Sequence, residues 1–467
     1  MLTFFLDKNS EIPLYEQLYQ AIKTAIINQE LSKDEKLPSK RKLSAHLEIS
    51  LTTVETAYSQ LLAEGYIKSI PKVGFFIATT VDLSFNKKII KAKKYISEKQ
   101  KKYLIDFKTN QVDDKLFPYE RLAKIEREVI LDKLNNQINQ GEMFGCYEFR
   151  SKISDILFAY RGIQAKPEQI IIGSGSEGLL ALLVMLLGRN KTFAVENPSY
   201  IKNFKLYQAY GLKVKPVDLD SEGILINDLQ KNKVDVVHTT PSHQFPMGII
   251  TSVSRRLELL NWVNAKDDRY IIEDDYDSEF RYFGTPIPAM KGLDKHDRVI
   301  YMNSFTKTLF PGLRISFLVL PERLISKYVK EFSFHSSSVP MINQLTIAEF
   351  ISRGEYEKHL NRMKTNYKFK RDYLLSLLYK STFSQKISVS GEDSGTHFLL
   401  KIETEKSEDY LIKNASNMGV RVYGLSEYYI DNNLNEKFKT IVIGYANLTK
   451  EDMIKGVSLL EEAWKNI

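Results

Sequence analysis

The run Tyr301-Met302-Asn303-Ser304-Phe305-Thr306-Lys307-Thr308-Leu309-Phe310-Pro311-Gly312-Leu313-Arg314 sets one lysine among hydroxyls, with an arginine seven residues on. Ser304, Thr306 and Arg314 suit a phosphate. Lys307 suits imine formation with an aldehyde, which burial and neighbouring cations favour by lowering the amine's pKa. Upstream, Ile271-Ile272-Glu273-Asp274-Asp275-Tyr276-Asp277-Ser278-Glu279-Phe280 ends an apolar run in a carboxylate cluster. Such a cluster can hold a metal. It better suits an aspartate beneath a pyridine nitrogen, which keeps that nitrogen protonated and makes the ring an electron sink. A third signal, Gly173-Ser174-Gly175-Ser176-Glu177-Gly178, follows an apolar strand pattern and opens a helical one at 179–187. There, free backbone N–H groups and the helix dipole would face an anion.

These segments need a frame that brings them together. From about Ile105, helical patterns alternate with short apolar strands at 169–172, 192–195, 213–216, 234–238, 270–272, 298–302 and 315–320. That alternation predicts an α/β unit with a largely parallel sheet, helices on both faces and ligands at the strand ends. From about Phe334 the pattern changes to long helices over 339–378, with strands near 397–402, 421–423 and 440–443, predicting a smaller α+β lobe.

The first 80 residues differ in pattern. Leu14, Leu18, Ile22, Ala25 and Ile26 share one helical face, predicting a helix over about 12–29. Ser39 can cap a helix over 40–47, Ser50 or Thr52 another reaching about Glu64, and Gly65 stops it. Strand-like runs at 66–69 and 75–79 flank a turn at 71–74, predicting a β-hairpin. Three helices and a hairpin make a winged helix-turn-helix. Such a module presents the start of its third helix to the DNA major groove, where threonine can meet a base edge, a thymine methyl or a phosphate.

This segment resembles the DNA-binding domain of the GntR superfamily of bacterial regulators, through Leu37-Pro38-Ser39-Lys40-Arg41-Lys42-Leu43, Thr52-Thr53-Val54 and Leu62-Ala63-Glu64-Gly65-Tyr66-Ile67. The resemblance implies DNA contacts from Arg41, Thr52 and Thr53, to which Lys40 and the wing residue Lys72 are added as candidates. Leu51 and Glu55 stand where many relatives carry arginines.

The larger unit resembles a fold-type I aminotransferase. Its Ser304-to-Arg314 run and Thr240-Pro241-Ser242-His243-Gln244-Phe245-Pro246-Met247-Gly248 are similar to those of the MocR branch of GntR regulators. What this implies is pyridoxal 5′-phosphate as cofactor, joined to Lys307 as the internal aldimine. Asp274 would meet the pyridine nitrogen, Tyr276 the phenolic oxygen and Tyr200 the ring. Gly175, Ser176, Ser304, Thr306 and Arg314 would surround the phosphate. An amino-acid effector also needs its carboxylate held, for which Arg421 is the candidate, with Lys202 for a second acidic group. No metal is expected, and His243 reads as a structural histidine.

Of 467 residues 66 are basic and 58 acidic, a net +8, and most of the excess sits in 84–103, which alone carries net +7. The expected organisation is a winged helix-turn-helix over 1–80, a basic linker over 81–104 and the aminotransferase-like unit over 105–467. One cysteine, Cys146, excludes an intrachain disulfide. The start of the chain lacks a signal-peptide pattern, and the longest apolar run, 179–187, falls short of the roughly 20 residues that cross a bilayer. A cytoplasmic location is therefore expected, and the two resemblances imply a homodimer that regulates transcription from promoter DNA. Three functions stay open: a sensor of an amine or amino acid through external aldimine formation, a sensor of pyridoxal phosphate controlling vitamin B6 synthesis, and a working aminotransferase with an accessory DNA-binding domain. Asp274 and Lys307 leave aminotransferase-like half-reactions open, while efficient turnover is not expected.

Overall fold

Helix α1 (Leu14–Ile27) buries Leu18, Tyr19, Ile22, Ala25 and Ile26 along one stripe, as the spacing of its apolar residues requires. It is shorter than 12–29 because Pro13 forms its N-cap and Asn28 its C-cap. The computed structural model describes residues 4–8, 10, 12–78, 102–133, 142–284, 287–430 and 439–467, in two units, Met1–Lys101 and Lys102–Ile467. Most of the Lys-rich stretch expected as a linker, through residue 101, lies outside the described residues.

In the first unit, α2 (Lys40–Leu47) starts at Ser39, whose side chain accepts from the Lys42 N–H, and α3 (Leu51–Ala63) starts at Ser50, which accepts from the Thr53 N–H. After Gly65, at φ 76°, strands β1 (Ile67–Ile70) and β2 (Gly74–Ile77) pair antiparallel. Leu43, Val54, Ala57, Tyr58, Leu61, Ile67 and Ile77 complete the core, so helices and wing share one apolar centre.

The second unit opens with β3 (Ile105–Asp106) and builds its sheet from β4 (Ile170–Ser174), β5 (Thr192–Asn197), β6 (Lys213–Asp220), β7 (Gly223–Ile224), β8 (Val236–Thr239), β9 (Tyr270–Asp274), β10 (Val299–Ser304) and β11 (Ile315–Val319). Their order is β4-β11-β10-β9-β8-β5-β6-β7. Pairings from β10 through β9, β8, β5 and β6 are parallel. Strand β11 is antiparallel to β10 and β4, and β7 to β6, so the largely parallel sheet is mixed towards both edges. Alternation along β9 sends Ile272 into the core with helix Gly175–Leu187 and Ile271 into the core with helix Val253–Asn264.

The smaller lobe carries β12 (Ile387–Ser390), β13 (His397–Ile402), β14 (Val420–Arg421), β15 (Tyr423–Gly424) and β16 (Thr440–Gly444). Four of them form the antiparallel sheet β12-β13-β16-β15. Met363, Phe398, Leu400, Ile441 and Trp464 pack it against helices Glu355–Leu378 and Lys450–Ala463. The helical run over 339–378 is broken into Met341–Ser352 and Glu355–Leu378 at Gly354, whose φ of 71° ends the first. The single strand expected at 421–423 is two: β14 pairs in parallel with β3, whereas β15 joins β16. Among the described residues no helix is long and apolar enough to cross a membrane.

Candidate functional site

Strand parity sorts the carboxylates after β9. Glu273 and Asp275 share the parity of Ile271. Glu273 accepts from the Met290 and Lys291 N–H groups and faces Arg256, while Asp275 pairs with Arg161 at 2.7 Å and accepts from Tyr301 at 2.6 Å. These two are structural. Asp274, on the opposite face, lies 3.3 Å from His238 Nε2, and His238 Nδ1 lies 2.8 Å from the Tyr207 hydroxyl. That chain fixes an anion at the C-terminal end of a central strand, where α/β sheets bind ligands.

Lys307 follows β10 and is 8% exposed. Its Nζ is buried without a hydrogen-bond partner, 3.9 Å from Asp277 Oδ2 and 4.3 Å from the centroid of the Tyr276 ring. Burial lowers its pKa, which Asp277 and Asp274 oppose. Tyr276 is 3.1 Å from His243 Nδ1, and its phenol is raised well above the usual value by burial and then by Asp277.

The glycine-rich turn places Gly175 at φ 80° against Arg314, itself in the left-handed region at φ 54°. Ser304 and Thr306 hydroxyls are 2.6 Å apart, and the Thr306 N–H donates to Ser304 Oγ. At the start of helix Gly175–Leu187, Glu177 pairs with Lys202 and lies 3.8 Å from Arg314 Nη2. Ser176 is half-buried on the same first turn. Here the structure gathers cations, hydroxyls and a helix N-terminus, a set that binds anions. Tyr200 is 43% exposed and meets Phe245 edge-on, and Phe245 in turn meets Tyr276 edge-on.

Arg421 takes another place. It is exposed on β14, over the rings of Tyr103 and Tyr423 at 5.6 and 5.0 Å, and lines a surface cavity with Lys413 and Glu427. Lys202, expected to meet a ligand, is held by Glu177. Pattern reading missed Glu177, His238 and Asp277; the acidic residue in the glycine-rich turn was the available signal for the first. His238 and Asp277 become visible only once neighbouring strands and loops are aligned in space.

In the first unit, Arg41 and Thr52 are exposed on adjacent helix starts, and Arg41 has no side-chain partner among the described residues. Thr53 is half-buried, its hydroxyl 2.8 Å from Ser50 Oγ. Lys40 pairs with Glu55 at 3.4 Å, and Lys72 is exposed at the wing turn with φ 63°.

Residues 14–77 match the family described as bacterial regulatory proteins, gntR family. The HTH-type transcriptional regulator YdeL of Bacillus subtilis is 38% identical over 99% of both chains. The probable rhizopine catabolism regulatory protein MocR of Rhizobium meliloti is 28% identical over 98% of this chain and 95% of its own. The chain belongs to the MocR-type GntR regulators. A further relative, the HTH-type pyridoxine biosynthesis transcriptional regulator PdxR of Corynebacterium glutamicum, is 27% identical over 92% of this chain and 91% of its own. The fold of the MocR-type C-terminal unit is that of aminotransferases: an archaeal alanine:glyoxylate aminotransferase superposes with a TM-score of 0.68 at 26% identity, over 79% of this chain and 92% of that one. The chain is thus a DNA-binding transcription regulator of MocR type with an aminotransferase-like unit.

Proposed function

We propose that this regulator holds pyridoxal 5′-phosphate at Lys307 and uses it to sense an amine or amino acid. One observation carries the reading: Lys307 Nζ is buried with no hydrogen-bond partner, facing Asp277 and the Tyr276 ring, so a reactive amine is prepared and otherwise unused. The surroundings fit the group. Gly175 leaves room for the Arg314 guanidinium, and Ser176, Ser304, Thr306 and Arg314 would take the phosphate. Asp274, held by His238, would take the ring N–H, and Tyr276 the phenolic oxygen. Tyr200 would cover the ring, its edge-on contact with Phe245 setting its height.

When bound, pyridoxal phosphate supplies an aldehyde that condenses with Lys307 or with an incoming amine, and a ring that withdraws electrons. The protein's part is positional. Arg314 and the first turn of helix Gly175–Leu187 would anchor the phosphate, and Asp274 would keep the ring nitrogen protonated. An effector alters DNA binding only by stabilising one conformation more than another. We take the working form as a cytoplasmic homodimer whose two winged helices engage two half-sites of promoter DNA, with avidity set by the basic linkers.

A second reading, that pyridoxal phosphate itself is the signal, is supported by the surroundings of Arg421, the arginine expected as a carboxylate clamp: it is exposed and lies over the rings of Tyr103 and Tyr423. The PdxR relative accords with it. One experiment separates the two: DNA affinity and visible absorption are measured with pyridoxal phosphate alone and then with a panel of amines and amino acids. An amine that shifts both supports the first reading. A DNA response to pyridoxal phosphate that no amine alters supports the second, and no response to either overturns both.

A further inference from the structure

The proposed site uses Asp274, Tyr276 and Lys307 but leaves unexplained three buried ionisable groups beside them. Asp277 and His243 are each 1% exposed, as is His397 on β13. Asp277 receives His243 Nδ1 at 3.0 Å on Oδ2 and 3.1 Å on Oδ1. A carboxylate can only accept, so His243 donates from Nδ1, while its Nε2 is buried without a hydrogen-bond partner. His397 donates from Nε2 to the Pro246 carbonyl at 3.1 Å, and burial pushes its pKa down to about 3, so it is neutral. Asp277 therefore keeps its charge in a closed place, its pKa lowered against burial by His243 and Lys307. Ligand atoms of the three residues lie within 4.8 Å of one another, a spacing that also suits a metal ion, but the Lys307 nitrogen already stands 3.9 Å from Asp277.

Backbone packing holds this group from the other side. A Cβ at Gly395, at φ 74° in the loop before β13, would stand 2.7 Å from Asp277 Oδ2 and 2.6 Å from His243 Nδ1. Only a glycine lets that loop close over the pair.

We propose that Asp277, pinned by His243 and closed in by Gly395, is the positioning residue for Lys307: it aims the lysine nitrogen and holds that nitrogen's proton once the lysine carries the cofactor. Asp274 serves the ring, and Asp277 serves the nitrogen. The charged or titratable groups facing that nitrogen are Asp277, Tyr276 and Glu279 from the loop after β9, Asp274 from β9, His243 from the 240–248 loop and His397 from β13. Among them Asp277 is the acid in ion-pair range of Lys307 Nζ. Because His243 Nδ1–H also reaches the Tyr276 oxygen, the tyrosine's own proton stays free to donate towards a ligand.

This inference rests on the proposed cofactor, and its test keeps the two apart. Full-length protein saturated with pyridoxal phosphate is titrated from neutral to alkaline pH while visible absorption is followed, and borohydride reduction with mass spectrometry records whether Lys307 carries the cofactor. Failure of the wild type to yield that adduct defeats the cofactor reading itself. With the adduct present, Asp277→Asn removes the anion that holds the proton, so the spectral midpoint falls by about one pH unit or more, a tenfold loss of proton affinity. Asp277→Glu, which restores the charge, recovers part of that shift. His243→Gln, which leaves Asp277 charged but unpinned, moves the midpoint the same way by less, and serves alone if Asp277→Asn does not fold. A wild-type midpoint in whichever of Asp277→Asn and His243→Gln folds and forms the adduct overturns the proposal and leaves Asp277 a structural residue.

Discussion

The Arg314 guanidinium lies directly over Gly175: a Cβ on that glycine would stand 2.8 Å from Arg314 Cζ. The residue that opens the helix and the cation seven positions after Lys307 are thus fitted to each other. Since the obstructing atoms end a flexible side chain, Gly175→Ala would displace Arg314 more than it would disturb the sheet. A charged hydrogen bond to phosphate contributes about 1.5–3 kcal/mol, so the dissociation constant for pyridoxal phosphate should rise about tenfold or more. Absorbance titration checks this. Wild-type affinity in a folded Gly175→Ala protein would separate Arg314 from the phosphate.

Arg41→Ala should weaken binding to promoter DNA by about 1–3 kcal/mol if Arg41 reads a base, or lower the salt slope by about one if it meets a phosphate. Arg41 is exposed and makes no side-chain hydrogen bond or ion pair among the described residues, so the substitution should leave the fold intact. Fluorescence anisotropy across a salt series distinguishes the two, while absorption with pyridoxal phosphate should stay as in the wild type. Unchanged DNA affinity at every salt concentration would remove Arg41 from the interface.

Much of this was legible in the sequence because it is local. Ser39 and Ser50 cap their helices where hydroxyls precede apolar periodicity, and β8, β9 and β10 lie where short apolar runs ended in polar residues. The pairing of β14 with β3 was not legible. It joins residues over 300 positions apart through two-residue strands with no pattern of their own. The surroundings of Arg421 were not legible for the same reason: an arginine suits a carboxylate clamp by type, and on β14 its guanidinium lies over the rings of Tyr103 and Tyr423. The carboxylate cluster showed that some acid serves the site. Which acid does so depended on strand parity, and on arginines from distant helices that take up Glu273 and Asp275.

Glu279 gives a pH dependence with a definite sign. Burial, and then the Asp275 charge, raises its carboxyl to about 7 from an ordinary 4.5. The folded state therefore binds a proton that the unfolded state releases between these values. Its stabilising contribution is complete below about 4.5 and is lost as pH rises through about 7. Glu279→Gln, which stays neutral, should flatten that part of the stability curve and raise the melting temperature relative to the wild type most above pH 7. Thermal unfolding of both proteins across this range tests it. Parallel curves would mean that Glu279 is ionised in the folded protein throughout.

The central claim is that one buried amine captures the cofactor. Borohydride reduction of the full-length protein saturated with pyridoxal phosphate, followed by peptide mass mapping, tests it most directly. The expected result is a single phosphopyridoxyl group on Lys307, absent from Lys307→Ala. No adduct at Lys307, or labelling spread equally over surface lysines, would contradict the account.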